Sequence, residues 1–173
     1  MESIKKIGLG IYNAIGLVQK YISIVLCIIV PCIIVYQVFL RYVLKAPLMG
    51  IEELLVFFII WLYMLGGAVA SKERTHISCG ILTLYMKRPL TIKLFNVAKA
   101  AFGVVCCVWI TKWAWWYFEY SLKLWKTSDI LKIPMFYAES AIFVGFALMT
   151  LYTFVEMCEN FTILFKHFKE GKK

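Results

Sequence analysis

Residues Ala46 to Ile77 read APLMGIEELLVFFIIWLYMLGGAVASKERTHI. A proline turn leads into two adjacent acids, Glu52 and Glu53. Eighteen residues without a charge follow, Leu54 to Ser71, and then a cluster opened by Lys72. A hydrocarbon layer about 30 Å thick takes about 20 apolar helical residues to cross. The run is therefore the length of a membrane span, with two carboxylates at its mouth.

Three further stretches have that character. Tyr21 to Leu40 carries no charge in twenty residues. Phe95 to Phe118 is broken only by Lys99 and Lys112, and Met135 to Met157 carries Glu139 and Glu156 near its ends. The whole chain of 173 residues is 62% hydrophobic with mean hydropathy +0.80, against roughly 45–50% apolar residues in a soluble domain. Backbone groups in lipid must be paired within a helix or a closed barrel, and no alternating ten-residue strands are visible. The reading is all-α: one integral membrane domain over 1–173, with spans at about 20–42, 52–72, 95–118 and 135–157. No cleavable leader is expected, because the first apolar run is longer than a signal core and is followed by Arg41, Lys45 and Pro47.

Ahead of the first span, Ile4, Ile7, Ile11, Ile15 and Val18 recur at spacings of three and four, with Lys5, Lys6, Asn13 and Gln19 off that stripe. The pattern predicts a short amphipathic interfacial helix over 1–19. Ile77, Ile81, Leu84 and Tyr85 form a second short apolar face in the middle loop. The net charge of +9 divides unevenly. Twelve basic residues fall on the side of the termini and five on the other, with Lys99 and Lys112 inside a span. That bias predicts both termini in the cytoplasm. There is no soluble domain to present a basic face, so nucleic acid is not an expected partner.

Several polar and small residues stand out within this frame. Gln37 and Arg41 end the first span one turn apart, facing Glu52 and Glu53 across a short loop. Acids at a helix start are favoured by the helix dipole, but neighbours on a helix point about 100° apart. One glutamate is expected to face Arg41 and the other a partner. Gly66/Ala70 and Gly67/Ser71 are pairs of small residues that permit close helix approach. Lys112 either snorkels to the headgroups or pairs with Glu119 or Glu139. Trp109, Trp113, Trp116 and Tyr120 share one helical face, which suits an interfacial anchor or a docking face for another protein. The six cysteines form no CxxC pair and read as small buried apolar residues. Enzymatic chemistry has little to work with: two histidines, His76 and His167, both outside the spans, and no nucleotide-binding, zinc-protease or serine-hydrolase motif.

The segment YQVFLRYVLKAPLMGIEELLVFFIIWLYMLGGAVASKERTHI, Tyr36 to Ile77, resembles the small membrane subunit, the DctQ-type component, of tripartite ATP-independent periplasmic (TRAP) transporters. The matching features are Gln37 and Arg41, Pro47, Glu52-Glu53, Trp61, Gly66-Gly67, Arg74 and His76-Ile77. Many members carry a tryptophan just before the paired acids, where this chain has Gly50-Ile51. The resemblance covers about forty residues in detail and the whole chain in span count and length. It implies a non-catalytic scaffold in the bacterial inner membrane. Its partners would be membrane lipids, a large membrane subunit that carries substrate and sodium, and a periplasmic substrate-binding protein. The cargo would be an organic acid such as a C4-dicarboxylate or sialic acid. The chain itself would hold no cofactor, the sodium belonging to the partner. The subunit-interface or polar-junction residues would be Gln37, Arg41, Glu52, Glu53, Trp61, Gly66, Gly67, Arg74 and His76. The alternatives are a stand-alone four-helix transporter and the membrane anchor of a redox complex.

Overall fold

The structure is a computed structural model. It describes residues 2–46, 48–74 and 89–170, with side chains except at 2–9, 11, 89 and 167–170. Four helices follow in order: α1 (Glu2–Tyr42), α2 (Gly50–Lys72), α3 (Pro89–Leu124) and α4 (Phe136–Glu170). All four are long and apolar enough to cross a membrane, as the charge-free runs predict. No strand forms among the described residues, and the single isolated bridge joins Thr127 to Pro134 in the α3–α4 connection.

Helix α2 has 23 residues, or roughly 35 Å, close to the thickness of a hydrocarbon core. The other three have 41, 36 and 35 residues, roughly 50–60 Å each. They project well beyond any such core at the end that carries the termini. The expected interfacial helix over 1–19 is not confirmed, because those residues continue into the first span as one helix that also runs on through Pro31.

The packing is open. α1 lies on α2, α2 on α4, and α4 on α3. No other pair of helices has more than marginal contact, so the helices form a row in the order α1–α2–α4–α3, with α1 and α3 at its edges. Small residues line the contacts: Ala68, Ala138 and Ala141 are fully enclosed, and Ala100 and Ala114 nearly so. Such residues let helix backbones come close, which is where dispersion contacts accumulate when burial of apolar surface brings no gain.

At Gly145 the backbones of α2 and α4 come close. A Cβ placed on Gly145 would stand 2.7 Å from Met64 Cβ and 3.2 Å from its carbonyl oxygen. On Gly67 it would meet only the flexible Met149 Cε, at 2.4 Å, and on Gly66 it would meet nothing within 4 Å. Of the two glycines that the sequence marks in α2, Gly67 packs internally and Gly66 faces open space. The glycine whose place a side chain could not take without a shift of the Met64 backbone is Gly145, on the opposite helix.

The inner and outer surfaces of α1 are reversed from the soluble pattern. Gln19, off the apolar stripe, is 3% exposed, whereas Ile15 and Val18 on the stripe are 37% and 57% exposed. The cysteines behave likewise. Cys27, Cys32 and Cys158 are exposed and Cys106 and Cys107 half-buried, all as free thiols, so the expectation of buried cysteines is not met. Apolar side chains have nothing to escape in lipid and can face it, while a polar side chain needs a partner inside the row.

Gly145→Leu is expected to lower stability by about 1–3 kcal/mol through overpacking, with Gly66→Leu near neutral. Thermal unfolding of the two purified variants in the same detergent, followed by tryptophan fluorescence, checks the order.

Candidate functional site

The polar groups cluster at the two ends of the row. At the end formed by the α1–α2 and α3–α4 connections, the paired acids of α2 divide their work. The Gln37 Nε2 group of α1 donates to Glu52 Oε1 at 2.8 Å. Glu53 turns the other way, to the connection between α3 and α4. It accepts from the Ser128 hydroxyl, from the Ile130 N–H at 3.0 Å and from the Leu131 N–H at 2.9 Å. The same connection closes on itself through Ser128 N–H to the Ile133 carbonyl and Met135 N–H to the Lys126 carbonyl, both 2.8 Å. Three donors converge on one carboxylate, an arrangement that favours the ionised form.

Both acids therefore serve links within the chain, and the expected pairing of one of them with Arg41 does not form among the described residues. Arg41 joins no ion pair among the described residues; its guanidinium lies 6.0 Å from the centre of the Tyr42 ring. Two further links complete this end. The Trp61 indole donates to the Tyr137 carbonyl at 2.9 Å, tying α2 to the first turn of α4. Glu139 of α4 accepts from Tyr117 Oη at 2.8 Å and from the Ser121 hydroxyl, both on α3.

At the end carrying the termini, Gln19 is the hub. Its Nε2 donates to the Leu65 carbonyl of α2 at 3.0 Å, and its Oε1 accepts from Tyr152 Oη of α4 at 2.8 Å. Tyr152 is the largest fully enclosed side chain and meets the Tyr12 ring edge-on. Lys20 pairs with Glu73 at 3.0 Å, and Arg74 with Glu159. The hydrogen bond that Arg74 donates to Glu159 raises the Arg74 pKa above its ordinary value, so the guanidinium stays charged at any working pH. Arg74 also ends α2 in a left-handed conformation, φ 55°. Between the two ends, Thr111 Oγ1 and Thr150 Oγ1 meet at 2.7 Å across α3 and α4, and Ser71 reaches Thr153 at 3.4 Å.

The structure thus brings Gln37 together with Glu52, sets Glu53 and Trp61 against the α3–α4 connection and the start of α4, and leaves Gly66 open to the outside. His76 lies outside the described residues, as do Cys79 and the apolar face from Ile77 to Tyr85. Sequence reading missed Gln19, Tyr152, Ser128 and Gly145. A lone glutamine on a membrane helix is the signal that could have found the first of these, since hydrocarbon offers it no other partner.

Gln19→Leu is expected to cost about 1 kcal/mol, because Tyr152 is left without its acceptor. Glu53→Gln should lower the melting temperature more than Glu52→Gln. An amide facing backbone donors keeps one acceptor atom and turns a donor toward them, whereas Glu52 serves a single amide. Equal shifts for the two glutamate variants in a thermal scan would contradict this account of the paired acids.

No curated protein matches the chain. A family model does, over residues 30–163, described as "Tripartite ATP-independent periplasmic transporters, DctQ component". The matched region contains the junction at Gln37, Glu52 and Glu53, all of α2 and α3, and most of α4. The chain is a multi-pass membrane protein, and it belongs to the DctQ family of TRAP transporter components.

Proposed function

We propose that this chain is the non-catalytic scaffold subunit of a sodium-driven TRAP transporter in the bacterial inner membrane. It pairs with a large membrane subunit that binds sodium and substrate and moves. A periplasmic binding protein delivers an organic acid, such as a C4-dicarboxylate or sialic acid. Both termini face the cytoplasm, in keeping with the excess of basic residues at that end.

Beyond the family match, the observation that carries this reading is the open row. A self-sufficient carrier needs helices closed around a path, with polar groups aimed into it. Here the polar groups of the spans join neighbouring helices: Gln19 to Leu65 and Tyr152, Gln37 to Glu52, Glu53 to Ser128, Glu139 to Tyr117 and Ser121. They hold a plank of helices together and leave its edge helices without a neighbour on their outward sides. A plank of this kind widens a partner's fixed part in the plane of the bilayer. It thereby resists the tilt that a moving subunit would impose.

A mild-detergent pull-down of the chain from its native membranes, followed by mass spectrometry, tests the pairing. Recovery of a larger multi-span subunit in stable ratio is the expected result. Recovery of the chain alone, together with uptake by liposomes that contain only this chain, would overturn the scaffold reading.

A further inference from the structure

Lys112 is the charge that the rest of the molecule leaves over. It lies two-thirds of the way along α3, twelve residues before the helix ends at Leu124, or roughly 18 Å along the axis, and six residues, roughly 9 Å, inside the apolar run that closes at Phe118. The two acids that could have neutralised it are engaged elsewhere. Glu119 pairs with Lys123 at 2.7 Å, and Glu139 accepts from Tyr117 and Ser121. Lys112 enters no ion pair among the described residues. An uncompensated lysine costs up to about 2.5–3.5 kcal/mol on insertion scales at the centre of a span, and less toward an interface.

Around it is a groove of about 330 Å³, lined by Trp109, Lys112, Trp113 and Trp116 and otherwise apolar. The indoles are ordered: Trp113 meets Trp116 edge-on at 6.4 Å, and Trp116 stacks on Tyr120 at 6.1 Å. Trp109, Trp113 and Trp116 are each more than half exposed and face away from α4. The aromatic stripe from Trp109 to Tyr120 spans eleven residues, roughly 16 Å along the helix. A headgroup-level belt alone does not require rings that deep.

We propose that this groove binds a phospholipid of the bilayer, its phosphodiester on the Lys112 ammonium and an acyl chain between the indoles. Charge and shape choose this occupant over a partner helix. The Lys112 side chain borders an almost wholly apolar slot and is exposed, and a cation at the rim of such a slot calls for an anion that arrives with its own hydrocarbon. The outer end of the apolar run is roughly 9 Å from Lys112, a distance that a snorkelling lysine and a headgroup phosphate close between them. Helices that associate in lipid do so through small residues that let backbones approach. The outward positions Phe102, Trp109, Trp113, Trp116 and Tyr120 would hold a second helix off, whereas a chain one methylene wide fits between rings. Aromatic faces also favour the ammonium itself.

The test uses the full chain with whatever subunits copurify, reconstituted in nanodiscs of mixed phosphatidylglycerol and phosphatidylethanolamine, released into mild detergent and read by native mass spectrometry. The wild type should retain one phospholipid that Lys112→Gln loses, with retention weakened by about tenfold, as expected for a charge-assisted hydrogen bond. Lys112→Arg should keep it. Lys123→Gln, which removes a cation already paired on the same helix, should keep it too. Equal lipid numbers in wild type and Lys112→Gln would overturn the proposal, as would equal loss in Lys123→Gln. A benzoylphenylalanine photocrosslinker at position 113 gives a second readout that does not depend on the charge variants. A phospholipid adduct supports the site, and a crosslink to a polypeptide overturns it. The copurifying subunit is scored separately in every sample, so loss of the lipid and loss of the partner are distinguishable.

Discussion

A helix in hydrocarbon gains nothing by hiding leucine, because its surroundings are as apolar as its neighbours. Order among such helices must come from close backbone approach and from polar groups that have nowhere else to go. Both are at work here and they act at different depths. Gly145, Ala68 and Ala141 draw α2 and α4 together along the row. Gln19 and the paired glutamates fix the ends. Since the row has no closed core, these few contacts carry the tilt and register that a soluble bundle would distribute over a whole interior.

The fold class was legible because it depends on run length alone. Apolar stretches of about twenty residues with two charges at most have few other structural uses, and one falls on each of the four helices. The position of the acidic pair was equally plain, but its partners were not. Ser128, Ile130 and Leu131 lie some 75 residues further on, in a connection whose sequence carries no sign of the carboxylate it receives. The glycines misled in another way. Gly66 and Gly67 advertise close packing, yet the backbone contact that leaves no room for a side chain is at Gly145, which forms a pair of small residues with the enclosed Ala141 one turn before it, a pair that sequence reading passed over. The apolar stripe of residues 4–18 was a true helical signal, but the helix it marks runs on into the first span, and its described members Ile15 and Val18 face outward while Gln19 turns in. Periodicity tells which residues share a face, and only the solvent decides which face turns inward.

That inversion bears on function. If apolar faces point outward, the surface of this chain is mostly ordinary lipid contact, and the informative outward residues are those that lipid tails do not explain. Few qualify on α3. Lys112 is one, and the depth of the tryptophan stripe around it is another. On α2 the open position of Gly66 marks a place where a second backbone could come close without displacing anything.

The placement of the polar links also accounts for what a row of helices can transmit. α1 packs mainly on α2 and reaches α4 only where Gln19 and Tyr12 meet Tyr152, so its angle to the rest is set by whatever ties it at the two ends of α2. Gln37 bonds Glu52 near one end, and near the other Gln19 and Lys20 bond Leu65, Tyr152 and Glu73. Two ties some eighteen residues apart, roughly 27 Å, define a lever nearly as long as the membrane is thick. Removing either would leave α1 free to pivot about the other while each helix stayed intact. A scaffold built this way holds its shape through geometry more than through bond strength, and needs only modest energy at each tie.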